Sequence, residues 1–416
     1  FGQDNICQKS NVISPFLNQF LNANSNDLVS QTADNSLRYF GLKSKVVSKF
    51  KKLENTIALQ YESNLETLNN DFLVNNNSNS NFENQSKINQ NIVSAETGFR
   101  YNFSKIIDLT SSLNYIYTVF KNNSKTDYSA ILNPKISLNL KKTGFGNFIF
   151  SYSENSNLPE INFLTNKNQL TDYRTFNKGT NYEKPLKNNI FSFSYNLYND
   201  EKRFSVSTGL FYLKSKTIFT TQNTITNDFS FGNYILTDGG ESYNGNFSIV
   251  NYFRKLKLAT KLETSQNWNT MPKNVNNSFA NLKSHTGFYK FSGTTYFNLP
   301  LNFDFGLGYN FSESTFNNLT SQNNTKEAFM NINYKITKTW LAELNSTFYQ
   351  LKDNFAFVNA VISYTPTESR FSYRFMLNNA TNENEFTLIS LDNYTAYKSS
   401  INLVPRYVLM TIKYRF

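Results

Sequence analysis

Phe303, Phe305, Leu307, Tyr309 and Phe311 alternate without a break with Asp304, Gly306, Gly308, Asn310 and Ser312. Successive side chains of a strand point to opposite faces, so a run of this kind is a strand with one apolar and one polar side. Phe191, Phe193, Tyr195 and Leu197 repeat the pattern against Ser192, Ser194 and Asn196. Further copies cover 93–103, 107–119, 148–152, 204–212, 256–262, 328–336, 340–344 and 371–377. No stretch of comparable length reads as an amphipathic helix. Runs of about ten residues suit a strand tilted across a membrane, whereas soluble strands centre on about five or six.

Composition supports that choice. The 416 residues hold 40 Phe and 26 Tyr, yet only 17% are charged. Asparagine makes up roughly one residue in six. Aromatics spread along the whole chain disfavour disorder. No apolar run approaches the eighteen or so residues of a spanning helix. One histidine and one cysteine leave almost no zinc ligands and no internal disulfide. The net charge of +11 raises nucleic-acid binding, but the basic residues recur in ones and twos, as in Lys51-Lys52 and Lys141-Lys142, so no nucleic-acid face is expected.

The connections alternate in length. Tight turns are expected near Lys51-Lys52, Ser104-Lys105, Thr143-Gly144, Asp200-Glu201, Arg254-Lys255, Leu299-Pro300, Thr337-Lys338 and Pro366-Thr367. Between them lie Asn-rich connections around 65–90, 121–128, 156–188, 220–241, 269–283, 315–324 and 379–403, with a short one near Lys352-Asp353. Short turns on one side and long loops on the other are the habit of an outer-membrane barrel, with the turns in the periplasm and the loops outside the cell. Lipid offers no hydrogen bonds to backbone, so such a sheet has to close.

The reading is therefore all-β: a large transmembrane antiparallel β-barrel over residues 35–416, with about seventeen strands visible. Residues 1–34 alternate poorly and are expected to be an extracellular loop or an unpatterned segment.

The last strand carries the sharpest signal. Val408, Met410, Ile412, Tyr414 and Phe416 share one face, and Tyr407, Leu409, Thr411, Lys413 and Arg415 the other. A terminal aromatic preceded by alternating apolar residues resembles the signal read by the bacterial barrel-assembly machinery, which would pair with the strand edge. The stretch from Phe371 through Leu377-Asn378-Asn379, then Tyr394, Tyr397, Pro405-Arg406 and Lys413-Tyr414-Arg415-Phe416, resembles the end of TonB-dependent receptors. The likeness is nearest to the Asn- and Lys-rich barrels of Bacteroidota. It implies a barrel of about 22 strands blocked by an N-terminal plug, of which this chain would be the C-terminal portion without the plug.

Candidate sites are few. His285 shares parity with Tyr289 and Phe291 and reads as a rim histidine rather than a catalytic base. Gly306 and Gly308 lie inside a strand with no helix following, so they relieve crowding rather than cradle phosphate. Asp238-Gly239-Gly240-Glu241 reads as a turn. Phe82, Tyr173, Phe176, Tyr182, Phe231 and Tyr234 either grip a ligand or partner, or pack the loops on one another. Lys43, Lys45, Lys49, Lys257, Lys261, Lys335, Arg374 and Lys413 are expected to face inward.

No catalytic residue, cofactor or metal is expected. The first expectation is an outer-membrane transport barrel, taking up an oligosaccharide, peptide or metal chelate through a plug-gated lumen. The second is a receptor-like barrel serving as a structural subunit of an outer-membrane assembly or secretion complex, in contact with surface lipoproteins or other subunits. An 18-stranded passive porin is a third. Outer-membrane lipid surrounds the protein in all three.

Overall fold

The computed structural model describes residues 2–13, 21, 28–122, 125–172, 174–180, 182, 184–391 and 396–415. In chain order the first strands are β1 (Gly2–Ile13), β2 (Leu28–Phe50), β3 (Leu53–Val74), β4 (Asn77–Ser78), β5 (Asn84–Asn102) and β6 (Ile107–Asn122). β7 (Lys125–Thr143) and β8 (Gly146–Asn157) lead to one helical turn, α1 (Ile161–Leu164), then to β9 (Asn168–Asp172) and β10 (Thr175–Lys178). Next come β11 (Leu186–Asn199), β12 (Phe204–Ser215), β13 (Thr217–Ile225), β14 (Ser230–Asp238), β15 (Glu241–Phe253), β16 (Leu258–Val275) and β17 (Ser278–Thr295). The chain continues through β18 (Leu301–Phe316), β19 (Leu319–Lys335), β20 (Trp340–Gln350), β21 (Asn354–Tyr364) and β22 (Phe371–Asn378). β23 (Glu385–Leu391), β24 (Ala396–Asn402) and β25 (Tyr407–Tyr414) complete it.

Twenty-three of these strands form one sheet, and β23 with β24 a separate hairpin. Within the large sheet an antiparallel meander runs β1, β2, β3, β5, β6, β7, β8, β11, β12, β15, β16, β17, β18, β19, β20, β21, β22, β25. That is eighteen strands among the described residues, one more than alternation reveals. The addition is β1, which pairs from Gly2↔Tyr39 to Ile13↔Leu28. Part of the segment read as loop is thus a strand. Its residues do not alternate, and its backbone pairs along the long β2.

Directly opposed residues in a ladder share a face, so the registers carry two faces across the whole meander. One face holds Gln60, Glu96, Ser192, Asn246, Glu263, Ser312, Asn331 and Lys413; the other holds Leu59, Val93, Phe193, Leu210, Leu262, Leu307 and Met410. Lys43, Lys45, Lys49, Lys261, Lys335, Arg374 and Lys413 all fall on the polar face, and His285 falls on the apolar one. Polar-face charges pair across strands, Lys49 with Glu54 at 3.0 Å and Arg374 with Glu343 at 3.5 Å, and along β16, Lys261 with Glu263 at 2.6 Å. Near the lower turns, Asp108 gathers Arg100 at 3.2 Å, Asn139 at 2.7 Å and Lys141.

Two neighbouring rows mark where the apolar face ends. Tyr152, Phe191, Tyr212, Tyr243, Trp268 and His285 are directly opposed on six consecutive strands. Their rings touch at 4.7 Å (Tyr152–Phe191), 4.6 Å (Tyr212–Tyr243) and 4.7 Å (Trp268–His285). The next row up on the same face is Glu154, Asn189, Lys214, Glu241, Thr270 and Lys283, polar throughout. The aromatic row lies six to ten residues above the lower strand ends, from Gly146 to Tyr152 and from Leu258 to Trp268. With a rise of about 3.3 Å per residue and a tilt of about 40°, that is about 15–25 Å.

Above the rows the structure departs from expectation. The supposed loops 269–283 and 315–324 are continuous two-stranded ribbons closed by Asn276-Asn277 and Asn317-Asn318, and most of 65–90 is strand as well, with β3 paired to β2 and β5 and turning at Asn75-Asn76 into the short β4. Every one of these six asparagines has positive φ, between 49° and 65°. A two-residue turn with both centres left-handed matches strand twist, and asparagine tolerates it. Above the apolar band neither face meets lipid, so the strands there need not alternate.

Among the described residues, β1 pairs only with β2 and β25 only with β22. Phe40 to Phe50 of β2 therefore have β3 as their one partner.

Candidate functional site

The upper ends of the strands are crossed by a strap built from two loops. α1, β9 and β10 come from the connection between β8 and β11; β13 and β14 come from that between β12 and β15. β13 continues β16 as a parallel neighbour at Gln222↔Asn274 and Asn223↔Val275. β14 pairs with β13, β10 lies parallel to β14, and β9 pairs with β10. At the far end β9 reaches β2, where Gln31 and Leu170 exchange two hydrogen bonds. Lys167 Nζ donates to the Ser80 carbonyl at 2.9 Å beside it.

β2 and β16 are nine positions apart in the meander, about 43 Å along the sheet, while the strap joins them in five strand spacings, about 25 Å. The wall is therefore curled, with its polar face inward, and the strap is a chord across the mouth.

The strap is held down by apolar residues that break the polar face at its upper rim. Val29, Phe72 and Phe82 form a buried cluster with Leu170 and Phe176 of the strap, and Val74 and Phe231 flank it. Phe72 lies 4.5 Å from Phe82, and Phe82 lies 5.3 Å from Phe176. A second cluster seats Ile161 and Leu164 of α1 on Leu68, Ile88 and Phe120. Full burial of such side chains contributes about 1.5–3 kcal/mol each. Phe163 stacks on Phe219 at 5.0 Å and meets Tyr234 edge-on at 4.8 Å, with Tyr182 on Phe219 at 5.9 Å.

Phe82 and Phe176 are thus buried, Phe231 is part of the same packing, and Tyr182 and Tyr234 are partly covered by Phe219 and Phe163. Tyr173 lies outside the described residues. Sequence reasoning missed Val29, Leu68, Ile88 and Phe120, while Phe72 belongs with the loop aromatics read as either ligand contacts or packing. Their signal is an apolar residue at polar-face parity close to an upper strand end.

Acidic groups sit under the strap. Burial raises the Glu66 carboxyl above its ordinary range; the Asn35 amide, donating at 3.2 Å, opposes this, and the Glu160 charge adds to it. Burial and the same Glu160 charge raise Tyr234. On the opposite side of the mouth the β23–β24 hairpin is anchored by Phe386, 4.8 Å from Phe355 and 6.0 Å from Phe357.

His285 stacks on Trp268, and its Nε2 lies 2.9 Å from Gln266 Oε1. Gly306 lies beneath the Phe329 ring, where an added Cβ would meet it and stand 2.8 Å from the Phe291 carbonyl. Asp238 ends β14, and Gly239 and Gly240 connect it to Glu241 of β15. Val408, Met410, Ile412 and Tyr414 are exposed along the last strand, whereas Phe416 lies outside the described residues. Among the described residues no three His, Cys, Asp or Glu side chains are grouped to hold a metal ion.

A curled antiparallel wall, apolar outside, polar inside and covered at one mouth, is the class of protein that these features define. No family model and no curated protein matches the sequence. Among solved structures the chain is similar to the copper transporter OprC, with a TM-score of 0.47 and 9% identity over 94% of this chain and 69% of that one. It is similar to FpvAI in the FpvAI–pyocin S2 complex, at 0.49 and 8%, over 93% of this chain and 48% of that one. For the ferric citrate transporter FecA in its unliganded form the values are 0.46 and 10%, over 93% and 55%. The chain spans about half the length of the last two.

Proposed function

We propose that this chain is the wall of an outer-membrane barrel of the TonB-dependent receptor kind, admitting a solute through its lumen. The observation that carries the membrane reading is the pair of adjacent outer rows, aromatic then polar. A ring that is partly apolar and partly polar belongs at such a boundary. Charged pairs on the inner face suit a wet lumen. In a membrane the free edges of β25 and of the lower half of β2 would have to be paired, since a spanning sheet tolerates no free edge in lipid.

The strap is the outer gate in this reading. An oligosaccharide, peptide or metal chelate would enter where the Asn-rich ribbons surround the mouth, with the rest of the gating supplied by a plug. Single-channel recording tests it. The intact protein, purified in detergent, is expected to be closed, and removal of residues 161–178 is expected to open it; a closed channel in both forms would refute the gate.

The strap also favours a second reading, a structural subunit of an outer-membrane complex, because both its ends are tied into the wall. Native purification without crosslinking discriminates. Stable recovery with other barrels or lipoproteins, and a lumen closed under all ligands tried, supports the scaffold. In either case the exposed face of β25 is where the barrel-assembly machinery would bind, through Val408, Met410, Ile412, Tyr414 and Phe416.

A further inference from the structure

Charge is divided unequally between the two ends of the wall. The eight short connections at the lower end, 51–52, 103–106, 144–145, 200–203, 254–257, 296–300, 336–339 and 365–370, hold ten Lys and Arg against three Asp and Glu. The connections at the upper end hold eight against eleven. Asp200, Glu201 and Glu368 share their turns with Lys202, Arg203 and Arg370. The excess therefore lies in four other turns, as Lys51-Lys52, Lys105, Arg254-Lys255 with Lys257, and Lys338. Acids on the adjoining strand ends do not offset it, since Glu54 is paired with Lys49, and Asp108 with Arg100 and Lys141.

Each of these four turns also exposes an apolar side chain, Phe50, Phe103, Leu256 and Ile336 in turn. All four continue the parity of the outer, apolar face. Below the aromatic row that face carries no Asp or Glu on β8, β11, β12, β15, β16 or β17. An apolar residue beside a basic one suits an anionic membrane interface, where the apolar group enters the acyl boundary and the cation meets phosphate. The four turns are two to four residues long, so their cations stay at the height of the strand ends. The turns below β2 and β16 also stand on opposite sides of the mouth, because the strap crosses from one strand to the other. A lipid leaflet meets all four turns at once, whereas a soluble acidic protein docked on one flank meets only some.

We propose that the lower rim is a collar for anionic phospholipid, with the phosphates of the leaflet on that side seated on the four basic turns. The proposal rests on the membrane reading above, and the two fail differently. A protein that stays soluble without detergent refutes the membrane reading, whereas one that needs detergent and shows no preference for anionic lipid refutes only the collar.

The experiment is native mass spectrometry of the whole protein, re-equilibrated in mild detergent with an equal mixture of phosphatidylglycerol and phosphatidylethanolamine. Phosphatidylglycerol is expected to be retained over phosphatidylethanolamine, and the preference to fade when the re-equilibration is done in about 1 M salt. A fourfold variant, Lys51→Gln, Lys105→Gln, Lys255→Gln and Lys338→Gln, should lower the preference about tenfold. The same exchange at Lys178, Lys184, Lys398 and Arg406, in the upper connections, should leave it in place. Heat-modifiable migration on a gel checks that each variant is folded, and Lys51→Gln with Lys255→Gln stands in if the fourfold variant is not. Equal retention of the two lipids by the wild type, or a preference that both variants keep or both lose, overturns the proposal. Capture of polyglutamate by the wild type and not by the lower-rim variant, without lipid preference, overturns it in favour of a soluble acidic partner.

Discussion

Gln31 and Leu170 lie 139 residues apart and exchange two hydrogen bonds, from Gln31 Nε2 to the Leu170 carbonyl at 2.7 Å and from the Leu170 amide to Gln31 Oε1 at 2.9 Å. Both groups are buried, so the pair replaces the backbone rung that would otherwise join β9 to β2. Gln31→Ala leaves a buried amide and carbonyl without partners, at about 1–3 kcal/mol each. The expected outcome is faster hydrogen exchange in residues 168–178 with no change in the meander. Unchanged exchange in the strap would show that this pair does not tie it down.

Docking of the strap is expected to depend on pH through Glu66. Its carboxyl is raised above the ordinary 4.5 by burial and by Glu160, so it binds its proton more tightly with the strap in place than with it released. Stability from this group is complete below the ordinary value and is lost as pH rises through the raised one. Hydrogen exchange of residues 161–178 should therefore quicken as pH rises from below 4.5 through the raised value, after correction for intrinsic exchange. Glu66→Gln should flatten the dependence and slow exchange at the higher pH.

Much of the fold is legible in the sequence, for a physical reason. Where one face meets lipid and the other water, alternation is forced, and Phe303 to Ser312 show it. The parity of Lys43, Lys261 and Arg374 follows from the same rule. Where both faces meet water, above the aromatic row, nothing forces alternation, and the Asn-closed ribbons read as loops. β1 is invisible for a similar reason, since its residues do not alternate. The strap depends on contacts such as Phe72 with Phe176, about a hundred residues apart, that no local pattern encodes. Of the loop aromatics, the sequence leaves ligand contact and internal packing as equal options, and burial of Phe82 and Phe176 places those two in the packing.

Gly306 and Phe329 are expected to be coupled. Gly306→Ala pushes a methyl into the Phe329 ring and toward the Phe291 carbonyl, at about 1–3 kcal/mol. Phe329→Ala removes the ring, so the double variant should lose less than the sum, with a coupling of about 0.5–3 kcal/mol. Urea unfolding in lipid vesicles measures it, and strict additivity would mean that the ring is not what excludes a side chain at 306.

The wall itself is tested most directly by spin labels at neighbouring residues, with Cys7→Ser removing the native thiol. Leu59, Leu262 and Met410 fall on the apolar face, and Gln60, Glu263 and Thr411 on the polar one. In lipid vesicles the first three should relax with membrane-dissolved oxygen, and the second three with a water-soluble nickel complex. Alternation at all three strands supports a single membrane wall with a wet interior; water-soluble quenching at both members of each pair would contradict it.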